Sequence, residues 1–113
     1  MWMVNPKILC RQHLLGEHSE IHKHRHNFVK QHSIAKRIEM GQIEPASMEI
    51  RHNQLVIEML NRGYNHQSPY DMPDISYLNN HQRYFKVNTD VALLDLLSRC
   101  EECNKRYKEN MNE

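Results

Sequence analysis

Glycine and proline are scarce, three and four in 113 residues. A turn-rich β-sandwich or barrel needs both at its corners, so neither architecture suits this chain. Cysteine is scarce too. Three thiols cannot pair off completely, which excludes a disulfide-stapled secreted scaffold. A reducing cytoplasm, the host's for a viral protein, is the simplest setting. No run approaches the roughly 20 apolar residues of a membrane span. The start, Met1-Trp2-Met3-Val4-Asn5-Pro6, does not read as a signal peptide. With 39% hydrophobic residues the chain can build one small core. Membrane proteins, secreted knots and two-domain enzymes are excluded.

What is present favours helices. The pattern predicts an all-α fold: residues 1–113 as a single domain of about three main helices, with a long loop before the last. Asn5 and Pro6 are a side-chain cap and a first-turn proline, opening a helix that runs to about His32. Ser33 caps a short piece, Ile34 to Met40, closed by Gly41. The second main helix starts after Glu44-Pro45 and ends at Arg62 with Gly63 beyond it. Its apolar residues Ile50, Leu55, Met59 and Leu60 recur at helical spacing. Tyr64 to Tyr84 is a polar loop, long enough to carry function. The third helix begins near Asn88 or Thr89 and carries Val91, Leu93, Leu94 and Leu97 toward Cys100 and Tyr107. The tail from Glu109 is expected to fray.

The formal net charge is only +1, but its distribution is uneven. Residues 1–52 hold eight Lys/Arg, five acids and seven of the nine histidines; the remainder hold seven Lys/Arg and nine acids. A phosphate raises a nearby histidine's pKa, so the first half can turn strongly positive against nucleic acid. The same asymmetry also suits a plain solvated surface.

At 100° per residue, His13, Glu17, Glu20 and His24 share one stripe of the first helix. Cys10, Leu14, Ile21 and Phe28 form the neighbouring core seam. The polar stripe therefore borders the core. A partly desolvated carboxylate among imidazoles can do acid/base or charge-stabilising work. A ladder of Glu–His pairs that merely supports the helix is the competing reading.

Two blocks carry a resemblance. Leu9-Cys10-Arg11-Gln12-His13-Leu14-Leu15-Gly16-Glu17-His18-Ser19-Glu20 resembles the first-helix motif of the pyrimidine-dimer DNA glycosylase family, the phage endonuclease V type. Glu58-Met59-Leu60-Asn61-Arg62-Gly63-Tyr64-Asn65 resembles the end of that family's second helix and its Arg-Gly-aromatic turn. The order and rough spacing of the blocks fit as well. The resemblance implies a repair enzyme acting on duplex DNA, with glycosylase and AP lyase activities. Its nucleophile would be the N-terminal α-amine, here Met1, forming an imine with the sugar C1′ before β-elimination. An α-amine titrates near 8, well below lysine, so more of it is neutral at pH 7. Glu20 matches the family's catalytic glutamate, which would stabilise positive charge on the sugar. His13 and Gln12 match its DNA-proximal pair, and the damaged nucleotide would have to flip out of the stack.

Departures from the pattern bear on the substrate. Trp2 is bulky, which favours retention of Met1, and the arm before the first helix is about three residues shorter. Ser19 replaces an arginine, although Lys23 remains one turn on, and the aromatic C-terminal segment is reduced to Tyr107-Lys108. Damaged or modified pyrimidines are the expected substrate class. A non-catalytic relative that binds DNA or docks to a protein is the alternative.

DNA contacts are expected from Gln12, His13, His22, Lys23, Arg25 and Lys30, the last five of them to phosphates. Cys100-Glu101-Glu102-Cys103 is a C-x-x-C, and nine histidines could complete a zinc site with it, but such a site typically has two Cys pairs and only Cys10 remains among the cysteines. Cys100 and Cys103 equally suit a core seam. His18 and His22, four apart, have ligand-compatible spacing that also suits surface histidines. His66, Ser68 and Pro69 either line the site mouth or form a plain turn. Trp2 is expected to pin the arm to the core, with a wedge into DNA as the other reading. The sequence thus calls for no cofactor, no obligatory metal, no membrane and a monomer.

Overall fold

The computed structural model describes residues 1–66 and 68–111. Among them are six α-helices and no strand: α1 Arg11–Val29, α2 Ala35–Glu39, α3 Met48–Asn61, α4 Asn80–Arg83, α5 Thr89–Arg99 and α6 Glu101–Met111. The all-helical expectation holds, but three helices is an undercount. No described helix is long and apolar enough to cross a membrane.

The first helix starts later than expected. Asn5 caps only a single 3-10 turn, Pro6–Ile8, and Leu9 and Cys10 then run extended. That kink sends Leu9 into the core, where it is wholly buried. Carbonyls left outside a helix need donors. Arg62 supplies them, donating to Pro6 O at 3.2 Å and Leu9 O at 2.7 Å. The two sequence blocks that carry the family resemblance therefore meet in space.

Leu14, Ile21 and Phe28 of α1 pack on Leu55 and Met59 of α3, closing the core. Ile50, Leu60, Val91 and Leu94 instead face solvent. On α3, Arg51, His52 and Glu58 take buried positions because each finds a polar partner there. Gly63 closes α3 at φ +81°, a left-handed conformation that favours glycine.

The third predicted helix is two. It breaks at Cys100, which is extended at φ −126° and ψ 108°, in a stretch holding neither glycine nor proline. Beyond the break α6 stays helical to Met111, past Glu109 where fraying was expected. It packs against the Pro6–Ile8 turn, bringing the end of the chain back to its start.

Candidate active site

The N-terminal arm is fixed by its own side chains. The side chain of Met1 is fully buried, and its Sδ accepts the Glu44 N–H at 3.4 Å. Val4 is buried, and its carbonyl accepts a hydrogen bond from Arg51 Nη1 at 2.7 Å. Met3 between them turns the arm with a left-handed φ of 56°. The ring of Trp2 meets the edge of His13, with centroids 5.8 Å apart.

That geometry resolves a problem of reach. From Pro6, a continuous helix would place Glu20 about 21 Å along the axis; from Arg11 the rise is only about 14 Å. The folded arm brings the Met1 α-amine to 2.9 Å from Glu20 Oε1 and 2.7 Å from the Gln42 carbonyl oxygen. With two N–H bonds donated to those oxygens, a neutral amine keeps its lone pair free.

Glu20 keeps about a third of its side chain exposed, in reach of solvent or ligand. Burial pushes its carboxyl up, but hydrogen bonds from His24 and the Met1 ammonium outweigh that and hold it below the usual carboxylate range. His24 lies 3.3 Å away, almost fully buried one turn along α1. Beneath them, Arg51 grips Glu17 through two bonds of 2.6 and 3.0 Å in the dry core. The polar stripe of α1 does border the core, and part of it lies inside.

Met1, Trp2 and Glu20 open onto a cleft of about 670 Å³. Its far wall comes from Val87, Asn88 and α5; Arg37 brings a positive charge, while Arg99 is paired with Asp95 at 2.8 Å. Such a space is of the size that ligand pockets usually have.

The other expected site residues divide. Gln12, Lys23 and Lys30 are exposed. They lie about 60–80° around α1 from Glu20, on its flank. His22 and Arg25 lie about 140–160° away on the opposite side. There Arg25 donates to the Asp71 carbonyl at 2.6 Å, and His22 joins His18, His52 and His66. His13 turns toward Cys10 and Cys103 rather than toward the cleft.

Two clusters emerge that sequence reasoning did not assemble. Cys10, His13, Cys100 and Cys103 have ligand atoms within 4.8 Å of one another, as do His18, His22, His52 and His66. A signal for the first was present. Cys10 and His13 are themselves a pair with two residues between them, matching Cys100 and Cys103. In the second cluster, burial and then the three neighbouring imidazoles push the His18 pKa down to about 4. The roles of Arg51, whose buried carboxylate partner lies 34 residues away in sequence, and of the Gln42 carbonyl have no local sequence signature.

Neither the curated proteins nor the solved structures contain a match to this chain. A sequence profile described as pyrimidine dimer DNA glycosylase does match, over residues 1–72. That span takes in the arm, the amine–glutamate contact, all of α1 and the Arg62-Gly63-Tyr64 turn that braces it, and the chain belongs to the pyrimidine dimer DNA glycosylase family.

Proposed function

We propose that this chain is a DNA glycosylase with AP lyase activity, acting on damaged or modified pyrimidines in duplex DNA. Membership of a DNA glycosylase family implies the DNA substrate. The observation that carries the mechanism is the Met1 amine held 2.9 Å from the Glu20 carboxylate at the edge of a cleft.

The chemistry follows from those groups. As the C1′–N bond breaks, the departing base takes the bonding pair and positive charge develops on the sugar. Glu20, kept ionised, stabilises that charge at close range. The amine lone pair forms a bond to C1′, the two amine protons pass by way of Glu20 or water to the departing base and to O4′, and opening of the C1′–O4′ bond gives the imine. Loss of a C2′ proton then expels the 3′ phosphate oxygen and nicks the strand. Met1 suits this task because its buried side chain fixes the amine.

The flipped nucleotide occupies the cleft, with the backbone following Gln12, Lys23 and Lys30 along α1. His13, His22 and Arg25, engaged elsewhere, take no part in this reading. Borohydride trapping tests it: the chain becomes covalently joined to abasic-site duplex through Met1. Failure to trap with the native start supports the non-catalytic alternative.

A further inference from the structure

We propose that Cys10, His13, Cys100 and Cys103 bind one zinc ion that clasps the end of the chain to its beginning. Zinc prefers four sulfur and nitrogen donors in a tetrahedron, with bonds of about 2.3 Å to sulfur and 2.0–2.1 Å to nitrogen. Those bond lengths imply donor separations of about 3.8 Å between sulfurs and about 3.6 Å between sulfur and nitrogen. The observed values are 3.8 Å for Cys10 Sγ to Cys100 Sγ, 3.1 Å for Cys10 Sγ to His13 Nδ1 and 3.5 Å for Cys103 Sγ to His13 Nδ1. All three cysteines are free of disulfides.

The backbone supports the same reading. Each pair sits at the start of a helix: Cys10 immediately precedes α1, and Cys100 immediately precedes α6. Backbone N–H groups there stabilise thiolates. The Cys10 N–H donates to Cys103 Sγ at 3.2 Å and the Cys103 N–H to Cys100 Sγ at 3.4 Å. The extended residue that splits α5 from α6, in a segment with no helix breaker, is itself one of the four donors. Binding releases the thiol protons to solvent, leaving three thiolates and a neutral imidazole around the dication. Cys100 and Cys103 lie beyond the matched residues 1–72, so the clasp would tie α6 to the family core. Trp2 stands against His13, one residue from the reactive amine.

Cobalt reports this centre without interference from histidine sites. The full chain, stripped of metal under reducing conditions and titrated with Co2+, gives a thiolate-to-cobalt charge-transfer band that saturates at one equivalent and is bleached by Zn2+. Cys10→Ser and Cys100→Ser abolish or sharply weaken the band. His13→Cys preserves four donors and retains it, which keeps the test decisive if a serine variant fails to fold. A folded chain without the band, a band that survives both serine substitutions, or a Cys10–Cys100 disulfide in reduced-purified protein would overturn the proposal.

A different observation carries a second metal site. His18 and His22 on α1, His52 on α3 and His66 after it converge, with His18 Nε2 and His66 Nε2 3.0 Å apart. His22 Nε2 is buried with no hydrogen-bond partner. Four converging imidazoles with an unpartnered buried nitrogen suit a divalent transition ion, with zinc as the probe. The chain then holds two zinc ions, whereas His18→Asn and, separately, His66→Asn hold one and keep the cobalt–thiolate band. Unchanged zinc content in both variants would overturn the second site.

Discussion

The α-amine of Met1 and the carboxylate of Glu20 are 19 positions apart in sequence and 2.9 Å apart in space. The contact depends on anchoring at both ends. Met1 is anchored by its side chain, and Glu20 is presented by a helix whose next turn inward is locked to Arg51.

Glu20→Gln tests the carboxylate. The change is nearly isosteric, so folding and DNA affinity should be largely kept. Glycosylase turnover should fall by about two orders of magnitude or more, as when a charge aimed at a transition state is removed. Unchanged turnover in the folded variant rules out the assigned role.

Acid stability provides a separate check on the same pair. The Glu20 carboxyl is held below its ordinary value of 4.5 in the folded chain, so the unfolded state binds the proton more readily. Its contribution to stability is therefore present above about pH 4.5 and is lost as pH falls through the lower folded value. Thermal melts should show Glu20→Gln less stable than the parent at pH 6–7, the two converging on acidification. A gap that widens in acid contradicts the assigned direction.

The buried Arg51–Glu17 pair should dominate a stability scan of the site. Arg51→Ala strands a carboxylate in the core and releases the Val4 carbonyl, a loss of about 3–5 kcal/mol for breaking one side of such a pair. Denaturant midpoints read it directly; a loss below about 1 kcal/mol shows that the pair does not hold the arm.

Much of this was legible because helix geometry is local. The shared stripe of Glu17, Glu20 and His24, the seam of Leu14, Ile21 and Phe28, and the glycine stop at Gly63 follow from spacing alone. What escaped depends on contacts distant in sequence. The kink at Leu9 and Cys10 needs Arg62 to take the freed carbonyls, 53 residues from Leu9. The break at Cys100 sits among residues that would propagate a helix, and it leaves the Cys100 Sγ 3.8 Å from that of Cys10, 90 residues away in sequence. Reading Cys10 as a seam residue hid the pair it forms with His13. Arg25 and His22, also expected at phosphates, lie on the other side of α1 from Glu20, as their angular positions indicate.

DNA binding should depend on salt through few residues. Lys23→Ala should reduce the magnitude of the salt slope by about one if that side chain meets one phosphate. Arg25→Ala, on the opposite face, should leave the slope unchanged. Equal effects from both place the DNA elsewhere.

The most direct measurement is borohydride trapping on abasic-site duplex, comparing the native-start chain with one whose Met1 amine is acetylated. The account predicts a covalent adduct mapped to Met1 in the native chain, and none after acetylation, with DNA affinity changed far less. An adduct that persists after acetylation, or maps to Lys7 or Lys23, would contradict it.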